Sequence, residues 1–151
     1  MERGKAVAVA ALALVSYTLA LCAVGQVMSL LQADTTVSNV GAVKAVGVGV
    51  YWDSDCVDAV ASINWGTLEP GSIETVDVYI RNEGNSASTL SMYTENWTPT
   101  EASTYMTLDW DYSGQSLNPG EVVAVTFTLT VSSSIQGITS FSFDIVIVGS
   151  G

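Results

Sequence analysis

Three aspartates within six residues, Asp53, Asp55 and Asp58 of "DSDCVD", form the densest group of hard oxygen ligands in the chain. Hard cations bind carboxylate and carbonyl oxygens gathered in a loop, so this stretch could supply half of a calcium shell. It lacks the glycine and the distal bidentate glutamate of an EF-hand loop, and aspartates also cap turns with their own side chains. A calcium-binding turn and a solvated acidic turn both fit. Asp109 and Asp111 lie two apart on one strand face, as paired carboxylates might, but no neighbouring residue marks either as a buried acid. The chain contains no histidine. That removes serine–histidine and cysteine–histidine nucleophile activation and every histidine-based metal site. "GVGVYW" has neither the spacing nor the following helix of a phosphate-cradling loop. No catalytic and no cofactor-binding residue is assigned, and a non-enzymatic protein is expected.

Four tryptophans, Trp52, Trp65, Trp97 and Trp110, raise the question of sugar stacking. Trp52 and Trp110 fall on inward-facing positions and Trp65 closes a strand, which leaves Trp97 in the loop "ENWTPT" as the exposed platform. The same loop holds the sequon Asn96-Trp97-Thr98, so Asn96 is a glycosylation site if the chain is exported. A glycan there would compete with Trp97 for space.

The elements that must position these residues are strands. Residues alternate apolar and polar in "ETVDVYIRN", with Val76, Val78 and Ile80 inward, and in "VVAVTFTLTV", with Val123, Val125, Phe127, Leu129 and Val131 inward. "AVGVGVYW" places Val46, Val48, Val50 and Trp52 on one face. "VASINW", "STLSMYT", "YMTLDWDY" and "ITSFSFDIVIVG" complete about seven strands, with no helical period among them. Polar outer faces argue for antiparallel sheets buried on one side. The expected fold class is all-β: an immunoglobulin-like antiparallel β-sandwich, without the Cys–Trp–Cys pattern of antibody domains. Two strands are preceded by the same phrase, Leu68-Glu69-Pro70-Gly71 and Leu117-Asn118-Pro119-Gly120. Proline sets φ for the second turn position and glycine takes the positive φ of the third, so each is a type II turn that launches a strand. Leu68 and Leu117 should plug the end of the sandwich, and "NEGN" should end the first long strand.

Ahead of the sandwich, Ala6–Ala33 carries no charge across 28 residues and follows Arg3 and Lys5. This length suffices to cross a bilayer as a helix, with the N-terminus cytoplasmic and the rest outside. Residues 1–33 therefore read as a transmembrane or signal helix, 34–45 as a linker or donor strand, and 46–151 as the sandwich. The helix is an uncleaved anchor, a secretory signal cleaved before Asp34, or a retained prepilin-like helix. "RGKA" before "VAVAALALV" resembles the leader of archaeal type IV pilins. Cys22 would then lie at membrane depth and Cys56 outside it, too far apart to bond. Residues 34–151 hold two basic and fourteen acidic residues, a formal charge of −12. Nucleic acid is excluded as a partner.

"LEPGSIETVDVYIRNEGN", "LNPGEVVAVTFTLTVSSS" and "FSFDIVI" resemble the small sandwich modules of archaeal and bacterial surface proteins, such as CARDB- and NEW3-type adhesion modules. An apolar leader followed by one acidic sandwich is similar to the TasA/camelysin group and to archaeal bundling pilins. The resemblance implies an extracellular or cell-surface structural subunit that meets copies of itself by strand donation or helix packing, and the membrane through Ala6–Ala33 if uncleaved. "TTVSNVGAVKAV" would be the donated strand, since it has no proline to remove a ladder donor. Pairing within its own domain is the other reading. The alternative function is a membrane-anchored monomeric module that binds calcium or a glycan.

Overall fold

The computed structural model of the protein describes residues 39–151, so the expected leader helix and its cysteine lie outside the described residues. Eight strands and one short helix follow in order: β1 (Val40–Val46), β2 (Val48–Tyr51), β3 (Ser62–Asn64), β4 (Ile73–Asn82), β5 (Thr89–Thr98), α1 (Ala102–Tyr105), β6 (Met106–Trp110), β7 (Val122–Val131) and β8 (Ser142–Ser150). They form two four-stranded sheets, β3-β1-β8-β5 and β2-β4-β7-β6. Except between β6 and β7, consecutive strands lie in different sheets, so the chain repeatedly crosses the core. All pairs are antiparallel apart from β1 with β8, which runs parallel over seven residues.

One core lies between the sheets. Val78, Ile80, Phe127 and Leu129 from one sheet, and Phe143, Ile145 and Ile147 from the other, are essentially sealed from solvent. These are the inward positions that alternation assigns to β4, β7 and β8. The two Pro-Gly phrases are β-turns closed by the N–H of Ser72 on the carbonyl of Glu69 (3.0 Å) and the N–H of Glu121 on that of Asn118 (2.9 Å). Gly71 and Gly120 take φ of 82° and 78°, as type II geometry requires. They launch β4 and β7, which pair with each other at the centre of one sheet. Leu117 is buried and Leu68 packs against the core.

"NEGN" does end β4, and Asn82 ties that end to the second Pro-Gly turn. Its side-chain amide donates to the carbonyls of Ser86 (2.8 Å) and Leu117 (2.9 Å), and its Oδ1 accepts the N–H of Gly84 (2.9 Å). A buried amide satisfied on both ends is a rigid junction.

Three expectations change. Paired structure begins at Val40, not Val46: the stretch expected as linker or donor strand fills a slot in its own sheet between β3 and β8. Small residues make this fit, since a Cβ on Gly41 would lie 3.0 Å from Ile145 and 3.1 Å from the Trp65 indole nitrogen. Second, "AVGVGVYW" is not one strand. Gly47 turns at φ 73° and moves the chain from one sheet to the other. Val48 and Val50 stay in the core, whereas Val46 and Trp52 are exposed at 58% and 39%. Third, one helical turn forms at Ala102–Tyr105, too short to leave a period in the sequence.

Candidate functional site

The acidic turn after β2 is organised by Asp53. Its carboxylate accepts the backbone N–H of Val57 (3.1 Å) and of Asp58 (2.8 Å). Those bonds, the Asp58 amide first, hold its carboxyl below the usual range. Asp53 is thus occupied as a local cap for the loop that carries Cys56 in the left-handed region, at φ 56°. Among the described residues, no three His, Cys, Asp or Glu side chains gather into a metal-holding group, and Asp53, Asp55 and Asp58 are not brought together as one. Burial raises the Cys56 thiol above its ordinary value.

Trp97 is not an exposed platform. Its ring stacks on Phe143 at 4.1 Å between centroids and 7° between planes, and its indole N–H donates to Thr94 Oγ1 (3.2 Å). A face covered by phenylalanine is not open to a sugar. Sequence reading missed this because the stacking partner comes from β8, more than forty residues away. Trp110 packs near Phe127 and Tyr112 at the core margin, and Trp65 is buried. Trp52 has the exposure expected of Trp97.

Asn96 is exposed and sits in the left-handed region at φ 55°, where the register between β5 and β8 slips. Its amide donates to Asp144 Oδ2 (2.7 Å), which also accepts from Lys44 Nζ (2.6 Å). Lys44 reaches Glu95 at 3.7 Å as well. These bonds, the Asn96 amide first and then Lys44, hold the Asp144 carboxyl below the usual range, and Asp144 in turn raises Lys44. The cluster links β1, β8 and β5 across the outer face of one sheet. The other sheet has a counterpart. Tyr51 donates to Glu83 (2.6 Å), Arg81 donates to Glu83 (2.8 Å), and the Arg81 guanidinium lies 5.0 Å from the centre of the Tyr51 ring. The Tyr51 hydroxyl, and after it Arg81, lowers the Glu83 carboxyl. The two basic residues of the sandwich therefore each clamp one half of the divided first strand, Lys44 on β1 and Arg81 beside β2.

Asp77 and Asp111 converge on Thr126, accepting its hydroxyl (2.7 Å) and its backbone N–H (2.8 Å). Asp109, on the same face, is exposed. The pair of carboxylates two apart thus has unlike roles, one capping a strand and the other solvated. At one end of the sandwich, Leu68, Pro70, Met106, Val131, Ile138 and Phe141 line a cavity of about 100 Å³. Small-molecule sites start near ~300 Å³, so this cavity is too small for a sugar ring. No protein-family model and no curated protein matches the chain.

Proposed function

We propose that this is a non-enzymatic extracellular structural protein, a cell-surface or filament subunit built on an immunoglobulin-like sandwich. The observation that carries the reading is the β1 slot. A strand of small residues, in one register, lies between β3 and β8 in the middle of a sheet. Such a slot accepts its own β1 or the same segment from a neighbour, which is the geometry that strand donation needs. Three groups fix the register. Asn39 donates to the carbonyl of Gly66 (2.6 Å) and accepts from the N–H of Phe141 (3.3 Å), Gly41 passes the Ile145 side chain, and Lys44 reaches Asp144. The uncharged Ala6–Ala33 segment ahead of an acidic sandwich supports export, with contacts between copies through strands or through that segment.

The alternative, an anchored monomer that binds calcium or glycan, draws less support, because Asp53 is committed to its own loop and Trp97 to the core. Electron microscopy of native surface material with an antibody against the sandwich tests the proposal. Labelled polymers are expected; label confined to dispersed single molecules contradicts it.

A further inference from the structure

We infer that the β5 edge is a self-complementary contact, at which two copies of this chain pair antiparallel about Tyr93. β5 is hydrogen-bonded to a strand on one side only. Toward its start the open side is covered: Ser88 exchanges backbone bonds with Leu117 (2.9 and 2.8 Å), and the Leu90 N–H donates to the Tyr112 hydroxyl (3.1 Å). Alternation then points the N–H and C=O of Met92 and Thr94 the same way, and among the described residues no strand meets them. Past Thr94 the slipped register at Asn96 closes the window. The open stretch is Ser91–Glu95. It has no proline and no lysine; its one charge, Glu95, stands at the far end within 3.7 Å of Lys44, and the irregular register begins past it.

A second copy fits that window better than an unrelated strand. Centring a two-fold axis on Tyr93 pairs Met92 with Thr94 of the other copy, which satisfies all four exposed donors and acceptors on each side. Glu95 then faces Ser91, so no acid meets an acid. Tyr93, 51% exposed, meets its own counterpart and extends an apolar strip formed with Val146, Val148 and Val46. Charge selects the same place. The sandwich is strongly acidic, yet the outer face of this sheet carries only Lys44, Glu95 and Asp144, already in contact with one another. Repulsion between copies is therefore weakest here. A single strand pair buries little area, so the contact is weak in dilute solution and counts where copies are crowded on a surface.

The inference rests on the surface-subunit reading for its setting but not for its test. In the full chain with Cys22→Ser, held in detergent micelles, Tyr93→Cys and Asp109→Cys are oxidised side by side. Opposed strand residues of a non-hydrogen-bonded pair stand close enough for a disulfide. A covalent dimer is expected from Tyr93→Cys and not from Asp109→Cys, which faces solvent on the other sheet. Equal yields, or none, overturn the inference. In sedimentation velocity, Tyr93→Asp should raise the dimer dissociation constant about tenfold or more while the thermal melt stays in place. Unchanged association overturns it. If labelled filaments form regardless of Tyr93→Asp, the edge contact falls and the subunit reading stands. If a Tyr93→Cys dimer forms without filaments, the edge contact stands and the subunit reading falls.

Discussion

The two sheets share one core but differ in how they end. In β2-β4-β7-β6, two ten-residue strands launched by matching Pro-Gly turns pair at the centre, and the outer face bears Asp77, Asp109 and Asp111. In β3-β1-β8-β5, the centre holds a small-residue strand in a slot, and a ten-residue strand forms an open edge beside a nearly neutral face. The first sheet carries the more acidic outer face. The second presents both a slot and an edge that a second copy can satisfy. The proposed assembly uses one sheet and not the other.

The comparison breaks if the shared core is not shared. Phe127→Ala and Phe143→Ala remove rings of the two sheets that are nearly inaccessible. Each should cost about 3–5 kcal/mol in urea unfolding, with one transition in each case. Two separate transitions would mean that the sheets stand independently. Gly41→Val sharpens the slot side, since its side chain would press on Ile145, Trp65 and Phe143. A loss of about 1–3 kcal/mol is expected. Asn82→Ala, at the junction of the other sheet, takes the side-chain partner from the Ser86 carbonyl and the Gly84 N–H, leaves the Leu117 carbonyl only its bond from Ser88, and should cost a comparable ~1–3 kcal/mol. Ser88 is the contrast within the same region: among the described residues its buried hydroxyl has no partner, so Ser88→Ala should stay within ~0.5 kcal/mol of the parent or exceed it.

The smallest effect concerns pH. Asp144 and Glu83, one per sheet, have carboxyls held below the usual range. Each therefore contributes stability above the unfolded carboxylate pKa of about 4, and that contribution is lost as pH falls through the lower folded value. The parent should lose more melting temperature between pH 5 and pH 3 than the Asp144→Asn/Glu83→Gln variant. Equal losses would show that neither cluster matters to acid stability.

What is legible in the sequence follows the same division. β4 and β7 are long and alternate large apolar with polar residues, and β8 sets Phe143, Ile145 and Ile147 two apart, so their inward faces and both turns can be read directly. β1 cannot: Gly41 has no room for a Cβ, Ala42 and Ala45 add no large apolar side chain to mark a face, and such a stretch looks like a linker. Gly47 shifts the chain to the other sheet, so simple alternation puts Val46 on the wrong face, and Trp52 is exposed because β2 ends one residue before it. Trp97 and Asp53 mislead as site residues because their partners are invisible locally, a ring on β8 in one case and backbone N–H groups in the other. The Lys44 cluster joins residues a hundred positions apart, and no spacing announces it.

Hydrogen exchange read by mass spectrometry on the full chain, dilute and concentrated, tests most directly the claim that one sheet assembles and the other does not. Peptides covering Ser91–Glu95 should gain protection on concentration, while those covering Met106–Trp110, one edge of the other sheet, should not change. Equal gains at both edges, or none at Ser91–Glu95, would contradict it.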